Sequence, residues 1–216
     1  MRKRIGYSTL VLLASLSSTA GAQIGRRGVQ SAEPGYWVGL SYGYLDGTTI
    51  GDNATKTVWD FGYTSQIRAT FEKTIQRGVT VGASAGFATA PLVYTNADFT
   101  SPCGGTACSA RADITQWLGF LHGGGGPAFH GEYNVEAGVT QFSHFRDHAT
   151  GAALPPAKAS NDFTFGFGGG FGYTFTPITE GYVSEQFQFV VHPQGDKPQN
   201  NAPRFLTFRV GFRMGF

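Results

Sequence analysis

The chain has 216 residues, of which 32 are glycine; aromatic residues make up 14% and charged residues only 14%. Glycine is thus at about twice its usual share of roughly 7%, and charge is far below the usual 25% or so. A disordered chain needs more charge and fewer aromatics, collagen needs a strict glycine period, and a mean hydropathy of −0.14 argues against a bundle of apolar membrane helices. What remains is a β-rich chain punctuated by glycine, in one domain.

The first 22 residues read as a secretory leader. Arg2, Lys3 and Arg4 form a basic start, Ile5 to Leu16 is mainly apolar, and Ala20-Gly21-Ala22 fits a small-residue cleavage pattern. The apolar part is too short to span a bilayer of about 30 Å. Cleavage is expected after Ala22, followed by a short periplasmic segment (23–34) and the main domain (35–216). With the leader removed, thirteen basic residues face fourteen acidic ones, and no basic run exceeds Arg26-Arg27. Nucleic-acid binding then has little electrostatic support.

From residue 35 onward, apolar and polar residues alternate with the period of two that marks a two-faced strand. Tyr36, Val38, Leu40, Tyr42 and Tyr44 share the first apolar face. Trp59, Phe61, Tyr63, Ile67, Ala69 and Phe71 share the second, opposite Asp60, Thr64, Gln66, Arg68 and Glu72. Val79 to Phe87 follows in the same manner. Residues 113–122 are weaker, because Trp117 and Leu121 fall out of phase with Leu118 and Phe120. Phe129, Tyr133, Val135, Ala137 and Val139 oppose His130, Glu132, Asn134 and Glu136. Phe163 to Phe175 oppose threonine and glycine. In the seventh segment Glu185 lands on the apolar face with Val183, Phe187, Phe189 and Val191, so a bulge or a strand start near 186 is expected. Leu206, Phe208, Val210, Phe212, Met214 and Phe216 close the series, opposite Arg209 and Arg213.

The connections alternate as well. Residues 74–78, 123–128 and 176–179 are short, whereas 46–56, 96–112, 146–161 and 192–203 are long and polar. An even strand count with short turns at one end and long loops at the other predicts an all-β fold. The expected fold is a closed eight-stranded antiparallel transmembrane β-barrel with short periplasmic turns and long extracellular loops. Its outer face is expected to be apolar against lipid, and its narrow interior polar or glycine-rich and filled by side chains. Trp37, Tyr44, Trp59, Tyr94 and Trp117 are candidates for interfacial aromatic girdles.

On these features the chain resembles the small eight-stranded outer-membrane proteins of Gram-negative bacteria, the OmpX-like proteins and the OmpA transmembrane domain. The resemblance covers about 35–216. Its most specific element is the end: Phe208, Val210, Phe212, Met214 and the terminal Phe216 are similar to the C-terminal signal read by the barrel assembly machinery. The resemblance implies a bacterial outer-membrane location, outer-membrane lipid as surroundings, and periplasmic chaperones and the assembly machinery as partners in biogenesis. With Phe216 last, no periplasmic anchoring domain is expected to follow.

Candidate sites are few. Cys103 and Cys108 lie close together in the second long loop, and an exported chain passes an oxidising compartment, so they are expected to pair. Asp60, Arg68, Glu72, Glu132, Glu136, Arg209 and Arg213 are expected to face the interior, where lone charges would be costly and pairing is required. Such a network plugs the barrel; the alternative is a narrow pore for small ions or solutes. His144 and His148 flank Asp147, and His122 and His130 bracket a four-glycine turn; both read as ordinary surface or turn histidines, and no metal or cofactor is assigned. No Gly-x-Ser-x-Gly elbow is present and Ser143-His144 is no triad, so an enzyme is not expected, a lipid-modifying one being the remaining option. The expected role is structural, or a surface interaction through the four long loops.

Overall fold

Ten antiparallel strands make up the computed structural model, which describes residues 33–96, 105–126, 128–192 and 203–216. The expected leader and all but two residues of the 23–34 segment lie outside the described residues. The strands are β1 (Tyr36–Leu45), β2 (Thr49–Asp52), β3 (Thr57–Phe61), β4 (Thr64–Gln76), β5 (Val79–Asn96), β6 (Ala107–Gly124), β7 (Phe129–Asp147), β8 (Ser160–Thr176), β9 (Thr179–Val191) and β10 (Arg204–Gly215). No helix occurs among the described residues.

The sheet closes on itself. β1 pairs with β10 on one side and β4 on the other, and β5 pairs with β6, so every wall strand has two neighbours. β3 and β4 lie in line along β5 and together form one wall strand, which makes eight. β2 is the extra arm of a hairpin with β3 inside the first long loop. Closure matters physically, because an open edge would leave backbone donors and acceptors unpaired. The short turns gather at one end of the barrel, the turn end, and the long connections at the other, the loop end.

Two bulges change which side chains face inward. Six residue steps separate Phe61 from Ile67, but only five separate their partners Leu92 and Phe87. That one-residue surplus sits at Gly62–Tyr63, beside Pro91, which has no backbone N–H to donate. Because side chains alternate with period two, it reverses the inward phase between β3 and β4. A second surplus lies in β7, where Ser143 and Arg146 pair with Asp113 and Arg111 and His144 takes a left-handed φ of 54°.

These bulges correct part of the sequence reading. Trp59 and Phe61 are buried inside rather than sharing an outer face with Tyr63 and Ile67. Asp60 is therefore not an interior charge; it is exposed and accepts a hydrogen bond from Thr49 at 2.8 Å. Among the girdle candidates only Tyr44 and Trp117 are exposed; Trp37, Trp59 and Tyr94 point inward. The expected break near 186 is absent, since β9 keeps one register with β10 throughout and with β8 up to Thr174; Glu185 sits on the outer face opposite Gly169 and Phe208. The weak 113–122 segment resolves as an ordinary strand, with Trp117 and Leu121 outside and Leu118 inside.

Candidate functional site: the barrel interior

The interior has three layers. At the loop end, Leu45, Ile50, Trp59, Phe61, Leu92, Tyr94, Ile114, Phe142, Phe145, Leu154, Val190 and Phe205 form an apolar core with small alanines of β5 and β6 between them. Trp59 is its centre, with its ring 4.6 Å from that of Phe145 and 5.4 Å from His192. The β2–β3 hairpin delivers Ile50 and Trp59 into this core, and Asp52 ties the hairpin's turn by accepting hydrogen bonds from Ala54 N (2.9 Å) and Thr55 Oγ1 (2.8 Å). Buried His192 lies 2.8 Å from Asp162, which also accepts from Ser160.

The middle layer is a hydrogen-bonded lattice across the lumen. Gln116 on β6 accepts from Gln66 on β4 (2.9 Å) and Arg68 (3.2 Å), and donates to Gln188 on β9 (3.0 Å) and Thr140 on β7 (3.2 Å). Arg68 donates to Glu136 at 2.7 Å, Gln188 donates to the other oxygen of Glu136, and Arg209 on β10 donates to Gln66 at 3.1 Å. One glutamine thus connects strands on opposite walls, so the centre is closed by side chains. Below it a cavity of about 60 Å³, bordered by Arg68, Glu72, His122, Glu136, Arg209 and Arg213, has room for only a few water molecules.

The third layer is a charge cluster at the turn end. Arg213 lies 2.8 Å from Glu180, 3.1 Å from Glu72 and 3.7 Å from Glu132, with its guanidinium 4.8 Å from the Trp37 ring centroid. Thr80 donates to Glu72 at 2.6 Å. His122 and His130 both reach into this cluster, each within 3.6 Å of Glu132.

Of the residues singled out in the sequence, Arg68, Glu136 and Arg209 thus meet in the middle layer, and Glu72, Glu132 and Arg213 meet at the turn end. Glu180 and His122 complete that cluster and were not assigned to it from sequence. Glu180 lies in phase with Gln186 and Gln188, a signal hidden by the expectation of a later strand start. His144 bonds Asp113 on the outside (3.0 Å), while Asp147 is buried and bonds Thr150, so the bulge separates the His144–Asp147–His148 group. Cys103 lies outside the described residues; Cys108 stands in β6 opposite Tyr94. Phe208, Val210, Phe212, Met214 and Phe216 all face outward, and the Phe216 N–H donates to Tyr36 O at 2.9 Å.

No family model matches the chain, and no curated protein sequence matches it. Solved structures do. Neisserial surface protein A shares 10% identity at a TM-score of 0.55, over 86% of this chain and all of the other. The outer membrane protein OprG of Pseudomonas aeruginosa shares 12% identity at a TM-score of 0.49, over 88% of this chain and 99% of the other. At this identity the likeness is one of fold: the chain has the fold of the small eight-stranded outer-membrane β-barrels.

Proposed function

We propose that this chain is an integral outer-membrane β-barrel with a plugged interior and a structural or surface-binding role, not an enzymatic one. The observation that carries this reading is the distribution of polarity along the wall. Toward the turn end, Val38, Leu40, Phe71, Leu121, Val135, Phe167, Phe171, Val210 and Phe212 ring the outside with apolar side chains. Such a continuous belt would aggregate in water and is stable against lipid. Toward the loop end the outside turns polar, with Thr115, Asp113, Arg111, Gln141 and Ser143 on β6 and β7. Wall strands of 17–19 residues exceed the 9–11 or so that cross a bilayer, which leaves their loop ends standing in water.

In this reading residues 1–22 are a leader removed after Ala22. The long loops face outward from the cell and carry any surface ligand, Cys103 of the second loop forms a disulfide with Cys108 at the start of β6, and the β10 terminus engages the assembly machinery. Planar-bilayer recording tests the plug: refolded protein is expected to give no conductance steps. Discrete steps that change in Arg209→Ala would replace the plug with a narrow pore. Recovery of the protein from the aqueous fraction without detergent would overturn the membrane reading itself.

A further inference from the structure

We propose that His130, Glu132 and Glu180 form a binding site for one divalent transition-metal ion of the zinc class, at the turn end of the barrel interior. The site does not depend on whether the loops bind anything.

The three side chains come from the starts of β7 and β9 and converge on one point. His130 Nε2 lies 3.6 Å from Glu132 Oε1 and 3.5 Å from Glu180 Oε2, and one ligand atom from each residue lies within 4.8 Å of the others. Metal–ligand bonds of roughly 2.0–2.1 Å in a tetrahedron place neighbouring ligand atoms about 3.3 Å apart, so only small movements separate this arrangement from a coordinated one. All three side chains are at least nine-tenths buried, yet His130 Nε2 and Glu132 Oε1 have no hydrogen-bond partner among the described residues. Two buried polar atoms aimed at each other without a bond call for something between them.

Three further features point to a cation. The Nδ1 of His130 lies 3.1 Å from the carbonyl of Ala128, a contact that places a proton on Nδ1 and points Nε2 at the carboxylates, the orientation of metal-ligating histidines. Glu180 divides its oxygens, with Oε1 on Arg213 and Oε2 toward His130. With His122 and His130 neutral, Glu72, Glu132 and Glu180 face the single guanidinium of Arg213, an excess of two negative charges that one divalent ion would cancel.

Gly172 keeps the place open. A Cβ there would lie 2.5 Å from His130 Nε2 and 2.8 Å from Glu132 Oε1, so any side chain would fill the space where the ligand atoms converge. The nitrogen donor and the small ligand number favour a zinc-like ion over calcium or magnesium, which take six or more oxygens.

The test uses the mature, untagged protein folded in detergent micelles, stripped of metal and titrated with zinc chloride by calorimetry. Metal content after dialysis is read by mass spectrometry. One zinc per folded chain is expected. His130→Ala and Glu180→Gln should lose it, and Gly172→Ala should lose it with all ligands present. His144→Ala, on the outer surface, should bind as the parent does. Heat-modifiable gel mobility confirms folding of each variant; if His130→Ala does not fold, Glu180→Gln and Gly172→Ala decide. No bound zinc in the parent protein, or binding unchanged in Gly172→Ala and Glu180→Gln, would overturn the proposal in favour of an imidazolium held by carboxylates alone.

Discussion

The two halves of the barrel have opposite interiors. At the turn end the outside is apolar and the inside is glutamine, arginine and glutamate; at the loop end the inside is Trp59, Phe142, Phe145 and their neighbours, and the outside of β6 and β7 turns polar. The switch falls at the level of the two bulges, Gly62–Tyr63 and His144. Each extra residue reverses the inward phase of its strand, which turns Trp59 and Phe61 inward on β3 and Phe145 inward on β7 without breaking the wall.

The comparison can be broken at defined points. Trp59→Ala removes the largest side chain of the loop-end core and should cost about 3–5 kcal/mol, read from urea unfolding in lipid vesicles. A loss below about 1 kcal/mol would mean that this half is not a packed core. Glu136→Ala leaves Arg68 buried without its carboxylate and should cost roughly 3 kcal/mol, with Glu136→Ala plus Arg68→Met losing less than the single change. Gln116→Ala takes one hydrogen-bond partner each from Gln66 and Gln188 and should cost about 1–3 kcal/mol. Conductance appearing in that variant would show that the lattice alone seals the lumen. Asp60→Asn should leave stability and unfolding midpoint unchanged, because the side chain is outside; a large loss would return Asp60 to the interior.

The turn-end half was largely legible in the sequence and the loop-end half was not. Alternation over Tyr36–Tyr44, Phe129–Val139 and Leu206–Phe216 names the outer face directly, because one phase holds throughout. Trp59 and Phe61 mislead, because alternation carries no mark of the bulge that separates them from Tyr63 beyond the single Gly62. Tyr94 and Trp37 mislead differently: an aromatic residue suits an interface as well as a core. Of the expected interior charges all but Asp60 face inward, Glu180 was missed, and the partners were not legible. Arg213 meets Glu72 across 141 positions and Arg209 meets Gln66 across 143, and only the closed barrel brings such pairs together. His130 read as an ordinary turn histidine and Glu180 went unassigned because each sits next to a short turn, where polar residues are ordinary.

The placement of the arginines has a consequence for how the wall closes. Four carboxylates, Glu72, Glu132, Glu136 and Glu180, are buried in the lower interior, and two of the three guanidiniums that face them arrive on β10. Until that strand docks, the interior holds an unbalanced negative charge. A docking slipped by two residues would keep every side chain on its proper face, yet carry Arg209 and Arg213 about 6.7 Å from their partners. The last strand therefore works as a lock with two charged pins, which rejects a misaligned seam that the apolar belt alone would accept.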